Sequence, residues 1–175
     1  MENVRHIVVT GPESTGKTKI ASFLAERFQG IWVPEYARFY AENFKSSFNY
    51  ADIESIAKKQ VAEYFHYTRQ GNSLVIFDTW LIITKVWFMV VYKKYPLWID
   101  ERIRDLKIDL YLLCAPDLEW KPDPARVNGG KMREKLFNAY EKEIKKTRVP
   151  YAVVTGHGKY RYDAAEGHVK NFLNL

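Results

Sequence analysis

The sequence predicts an α/β domain: a parallel five-stranded sheet with helices on both faces. Two observations predict it. Short apolar runs alternate with helix-periodic segments along the whole chain, and the first run passes directly into a glycine-rich turn and then a helix. The runs are continuously apolar rather than alternating, as expected for strands buried on both faces. At 175 residues the chain is long enough for one domain with a single core.

Residues 5–10 read as the first buried strand. Residues 16–28 follow as a helix, with Ile20, Phe23, Leu24 and Phe28 on one face. A short second strand occupies 30–34. Residues 51–68 form a helix, with Asp52 near its start, where negative charge complements the helix dipole. After the turn pair Gly71-Asn72, the Val- and Ile-containing stretch 73–78 is the third strand. Helices are expected over 80–92 and 97–106, a fourth strand over 108–114, a helix over 131–146, a fifth strand over 151–155 and a last helix over 163–173. No repeat or low-complexity linker interrupts the series, so 1–175 reads as one domain with a lid at about 117–133.

Composition narrows the class. Hydrophobic residues make up 47% and charged residues 27%, the balance of a soluble globular protein. The stretch 74–92 is apolar and long enough to suggest a membrane span, but Asp78 and Lys85 would each be costly at mid-bilayer. It reads as a buried strand followed by a buried helix. The apolar stretch 7–9 is too short for a signal-peptide core. Cys114, the one cysteine, excludes an internal disulfide and fits a reducing, cytoplasmic setting. His6, His66, His157 and His168 are dispersed and offer no metal-ligand spacing. The net charge is +6, from 27 basic and 21 acidic residues, spread in pairs such as Lys58-Lys59 and Lys145-Lys146. Such pairs read as solvated helix faces. The balance suits a pocket for polyanionic phosphates; neither nucleic acid nor a membrane is expected as partner.

The chemistry is concentrated where strands end, which is where ligands bind in open parallel sheets. Gly11-Pro12-Glu13-Ser14-Thr15-Gly16-Lys17-Thr18 matches the phosphate-loop pattern, with a strand before it and a helix after it. Gly11 and Gly16 let the backbone curl so that successive amides point inward and, with the helix N-terminus, form an anion nest. Lys17 is expected at the β- and γ-phosphates and Thr18 on Mg²⁺. The fold is therefore expected to be a P-loop NTPase of the nucleoside or nucleotide kinase kind, with ATP and Mg²⁺ as cofactors.

Asp78 ends the third strand. A carboxylate there serves Mg²⁺ or accepts a proton from the substrate hydroxyl; the plainer alternative is that Asp78 or Thr79 caps the following helix. Arg126 and Arg133 flank an irregular segment and are candidate lid cations for the transferring phosphoryl group. Their alternative is two surface arginines. Glu35, Tyr36, Arg38 and Tyr40, just after the second strand, offer stacking and polar contacts for a flat organic substrate, and Trp120 is a candidate for its other face. Core packing and a local Glu–Arg pair are the alternative.

With Glu13-Ser14-Thr15 inside the loop, Glu35-Tyr36-Ala37-Arg38, Phe77-Asp78-Thr79, Trp120, Asp123, Arg126 and Arg133, the chain resembles the ribosylnicotinamide kinase domain of bifunctional bacterial NAD-metabolism proteins of the NadR type. The resemblance covers about residues 4–173. It implies ATP- and Mg²⁺-dependent phosphorylation of the 5′-hydroxyl of nicotinamide riboside, giving nicotinamide mononucleotide. It also implies that Tyr36 and Trp120 flank the nicotinamide, that Glu35 and Asp123 contact ribose or ring, and that Asp78 acts at the hydroxyl or the metal. A stand-alone kinase domain is expected, without the nucleotidyltransferase or DNA-binding domains of longer relatives. The chain departs from the expected Asp-Gly-x-Arg turn: Pro124 stands where glycine would, which removes backbone freedom and an N–H. Two other readings stay open from the residues alone. One is a kinase for another nucleoside or small metabolite. The other is a nucleotide-binding regulator or nucleic-acid-associated ATPase.

Overall fold

The structure, a computed structural model, describes residues 4–44, 48–121 and 130–175. Its elements in chain order are β1 (Arg5–Thr10), α1 (Lys17–Arg27), β2 (Ile31–Val33), α2 (Tyr36–Asn43), α3 (Tyr50–Thr68), β3 (Leu74–Asp78), α4 (Leu81–Tyr92), α5 (Trp98–Asp105), β4 (Leu110–Cys114), α6 (Lys131–Thr147), β5 (Tyr151–Val154) and α7 (Lys159–Leu173). The five strands pair in the order β2-β3-β1-β4-β5, all parallel. The α/β P-loop kinase fold read from the sequence is the fold of the chain.

Period-two alternation within the strands divides the core into two layers. Ile7, Val9, Ile76, Leu110 and Leu112 pack with Ile20, Leu24, Ala165 and Val169 of α1 and α7. Val8, Val75, Phe77, Tyr111 and Leu113 face the other way, against Ile53, Ala57, Leu81, Phe88 and Ile144. The sheet order reverses direction around β1, whose neighbours are β3 and β4. The crevice at that reversal opens beyond the carboxyl ends of these strands, beside Gly11 and Asp78.

Four local features differ from the sequence expectations. Residues 36–43 form a helix, α2, that aromatic and charge content alone did not reveal; none of its residues is buried. The Tyr40 hydroxyl donates to Asp52 Oδ1 at 2.9 Å and so ties α2 to α3. Asp52 does more than favour a dipole. Its carboxylate accepts from the Asn49 N–H while Asn49 accepts from the Asp52 N–H, a reciprocal capping box. The last helix begins at Lys159, a turn earlier than expected. Finally, Trp80 occupies the N-cap of α4, and no side chain caps that helix. Neither Asp78 nor Thr79 serves as its cap.

Lys85 explains how an apolar helix carries a charge. It is buried, and its ammonium lies 2.6 Å from both Asp100 and Glu143, joining α4 to α5 and α6. No helix among the described residues is long and apolar enough to cross a membrane.

Candidate functional site

The loop between β1 and α1 takes a path that only glycine permits at its first position. Gly11 has φ 143°, and a Cβ there would lie 2.6 Å from the Cys114 carbonyl oxygen. The loop therefore packs against the end of β4 with no room for a side chain. Gly16 is left-handed (φ 77°) at the N-cap of α1, and no side chain caps that helix. Its first amides are left for a ligand, the arrangement that binds phosphate. The Thr15 hydroxyl donates to the Pro12 carbonyl at 2.8 Å, and the Lys17 ammonium donates to the same oxygen at 2.9 Å. Lys17 thus lies folded over its own loop.

Two arginines hold the outer, carbonyl side of this loop. Arg161, in the first turn of α7, is 3% exposed. It donates twice to the Thr15 carbonyl, at 3.2 and 3.0 Å, and also to the carbonyls of Ala115 and Gly156. It pairs with the Asp117 carboxylate, which in turn accepts from the Gly156 amide. Arg133 donates to the carbonyls of Glu13, Ser14 and Leu118. Burial holds the Arg133 pKa below its ordinary value. Turning carbonyls outward to these guanidiniums leaves the amides facing the nest. Removing Arg161 strands three carbonyls and takes the counter-charge from Asp117, so Arg161→Met is expected to cost about 3 kcal/mol of stability. Asp117→Asn added to it should cost little further, because the partner is already gone. Chemical denaturation of the single and double variants measures both.

Asp78 is the centre of the site. It is 2% exposed, and neither carboxylate oxygen has a hydrogen-bond partner among the described residues. Burial first, and then the Glu35 carboxylate, push its pKa up to about 6; Lys17, the nearby Thr18 hydroxyl and Arg38 favour its charged form. Thr18 lies close enough to matter electrostatically without completing a hydrogen bond. The Thr10 hydroxyl, one residue beyond the β1 position that pairs with Asp78, is likewise buried without a partner. Orphaned buried polar atoms at one strand-end crevice are what a ligand or ion would satisfy. Thr79 adds strain: a β-branched residue at φ 71°, its N–H donating to the Val9 carbonyl at 2.9 Å. Such a conformation costs on the order of 1–3 kcal/mol and turns the chain sharply after Asp78.

Beside Asp78 lies a small pocket lined by Val33, Pro34, Tyr36, Gln60, Glu63 and Trp80, among others. Its volume is about 10 Å³, roughly one water. A nucleoside would enter only by displacing side chains. Burial pushes the Glu63 pKa up to about 7, opposed by Lys59.

Of the residues expected at the site, the structure brings Lys17, Thr18, Glu35 and Arg38 within electrostatic reach of Asp78, with Tyr36 on the adjoining pocket. Arg38 also donates to Glu42 at 2.9 Å, the local pair its spacing suggested. Trp120 does not line that pocket; its buried indole N–H has no hydrogen-bond partner among the described residues, and the next residue, Lys121, donates its amide to the Ser14 hydroxyl. Arg133 sits behind the loop, with its guanidinium on backbone carbonyls. Asp123 and Arg126, expected in the lid, lie outside the described residues. Sequence reasoning missed Arg161, Gln60, Glu63 and Trp80. Arg161 left one signal: a cation in the first turn of a helix opposes the dipole and calls for a compensating partner.

Comparison with known proteins places these features in context. A family model described as an AAA domain matches residues 6–161. The chain is 24% identical over 157 residues to the trifunctional NAD biosynthesis/regulator protein NadR of Salmonella typhimurium, covering 86% of this chain and 38% of that protein. A NadR protein solved in complex with NR superposes with TM-score 0.83 at 20% identity, over 98% of this chain and 50% of that one. The NadR structure with NAD and AMP-PNP gives TM-score 0.82 at 20% identity, with the same coverage. The chain thus spans half or less of the length of these relatives.

Proposed function

Because the chain belongs to the AAA domain family, we propose that its phosphate loop serves a kinase, one that transfers the γ-phosphoryl group of ATP to the 5′-hydroxyl of nicotinamide riboside. One observation carries the reading: a buried carboxylate, Asp78, with no donor among the described residues, beside the lysine and threonine of a phosphate loop. The likeness to NadR solved with NR and with AMP-PNP supports the acceptor and the donor.

The loop amides and the α1 N-terminus hold the triphosphate, and Lys17 leaves the Pro12 carbonyl for the β- and γ-phosphate oxygens. The Thr18 hydroxyl and the Asp78 carboxylate are hard oxygen ligands of the kind Mg²⁺ takes alongside phosphates and waters, so these two would hold it. Bound there, the ion would neutralise charge on the phosphate oxygens. The 5′-oxygen forms its bond to the γ-phosphorus as the bond to the β–γ bridging oxygen breaks. The hydroxyl proton passes to Asp78 where Thr18 and phosphate oxygens alone hold the ion, and to water where Asp78 is itself a metal ligand. The segment 117–133 is the lid. Its described ends are tied through Lys121 at the Ser14 hydroxyl and Arg133 at the Glu13 and Ser14 carbonyls. Tyr36 stacks on the ring, and Glu35 and Arg38 make polar contacts.

The test is product identity. Purified protein with ATP and Mg²⁺ is offered nicotinamide riboside, the common purine and pyrimidine nucleosides, and shikimate-like polyols. Nicotinamide mononucleotide should form with kcat/KM at least about 100-fold above any other acceptor, a margin of about 2.7 kcal/mol. If another acceptor matches it, the assignment fails.

A further inference from the structure

The pocket beside Asp78 holds a feature that phosphoryl transfer does not use. Glu63 on α3 lines the pocket with its side chain only 17% exposed. Among the described residues its one ionic contact is Lys59, at 4.0 Å, too far for a hydrogen bond. The Lys59 ammonium also stands 5.7 Å from the centre of the Tyr36 ring, within cation–π range. A positive charge therefore already sits near both an aromatic face and a carboxylate at the acceptor pocket. The lysine is a poor permanent occupant, because its side chain is 47% exposed and mobile on its stem. Lys59 is not itself in the pocket lining, but its ammonium occupies the space by the Tyr36 ring and the Glu63 carboxylate, both of which are.

We infer that Tyr36 and Glu63 form a cation-selective subsite, with Lys59 as its internal stand-in, and that the site selects an acceptor whose ring carries a positive charge. This rests on the riboside kinase reading and adds to it: the ring's charge is what the protein reads. A planar cationic heterocycle displaces the ammonium, stacks on Tyr36 and places its charge near the Glu63 carboxylate. The interaction is stronger there than in water, since the carboxylate is largely removed from solvent. Burial raises the Glu63 pKa to about 7, so the carboxylate is costly while it lacks a close counter-charge. A neutral ring of the same shape gains the stacking and loses the charge term.

The experiment compares nicotinamide riboside, a pyridinium, with its reduced 1,4-dihydro form, which has the same ribose and a neutral ring. Both are assayed at pH 8 with wild type, Glu63→Gln and Lys59→Met. In Glu63→Gln, the ratio of kcat/KM for the cationic over the neutral nucleoside should fall about tenfold or more. In Lys59→Met, which removes the competitor, KM for the cationic nucleoside should fall several-fold. If Glu63→Gln lowers both nucleosides equally, Glu63 contacts the sugar or the fold and the inference is overturned while the kinase reading stands. A rise in the KM of Lys59→Met for the cationic nucleoside also overturns it. If wild type phosphorylates neither nucleoside, the riboside reading falls, and this inference with it.

Discussion

Lys17→Ala should lower kcat/KM for nucleoside phosphorylation by about 10³-fold or more, with the fold intact. In the structure the Lys17 ammonium makes one described hydrogen bond, to the Pro12 carbonyl, and the residue is partly exposed. Losing one such bond costs about 1 kcal/mol of stability. The catalytic loss is far larger, because a cation positioned on transferring phosphate acts where charge develops in the transition state. Steady-state kinetics and a thermal melt on the same preparation separate the two effects. An unchanged rate would reject the phosphate-loop mechanism, and a collapsed melt would show that the lysine is structural.

Asp78→Asn should abolish turnover and stabilise the free protein at pH 8. The carboxylate of Asp78 titrates near 6 when folded and near 3.8 as its ordinary value, so between those pH values the folded state binds more protons than the unfolded state. Stability then falls as pH rises through that window, by about 3 kcal/mol from this one group. Below about pH 4 the group is protonated in both states and the deficit is gone. Asparagine carries no charge to desolvate, so the variant should gain up to about 3 kcal/mol at pH 8, less the cost of any unpaired amide. The gain should shrink toward zero near pH 4. Urea titrations of both proteins at pH 4 and pH 8, without nucleotide or Mg²⁺, measure it. A variant less stable than wild type at pH 8 would mean that Asp78 has native partners that offset its burial. The same burial that destabilises the fold raises the carboxylate to a pKa useful for proton transfer, a trade common at active sites.

Much of this site was readable before any coordinates. Glycines at 11 and 16 answer to backbone conformation, which is local: one needs φ 143° with no Cβ against Cys114, the other a left-handed N-cap. Asp78 announced itself as a carboxylate ending an apolar strand. The Lys59–Glu63 pair is the opposite case. At an i, i+4 spacing in a charged helix it looks like an ordinary surface pair. Only the fold lays that helix face against Tyr36 and the pocket beside Asp78. The helix α2 escaped notice because its eight residues bury nothing, so no apolar stripe marks it; it is held in part by the Tyr40–Asp52 bond to α3.

By itself, then, the sequence determined the parallel α/β architecture, the phosphate loop and the acid beside it, because hydrophobic period, glycine conformation and strand-end position are encoded within a few residues. The tertiary structure decided what each charge faces. It turned Arg133 and Arg161 onto loop carbonyls, left the Asp78 oxygens without donors among the described residues and set the Lys59 ammonium near both Tyr36 and Glu63. Those outcomes depend on burial and on distances between residues far apart in the chain, and electrostatic strength follows burial and distance rather than sequence spacing.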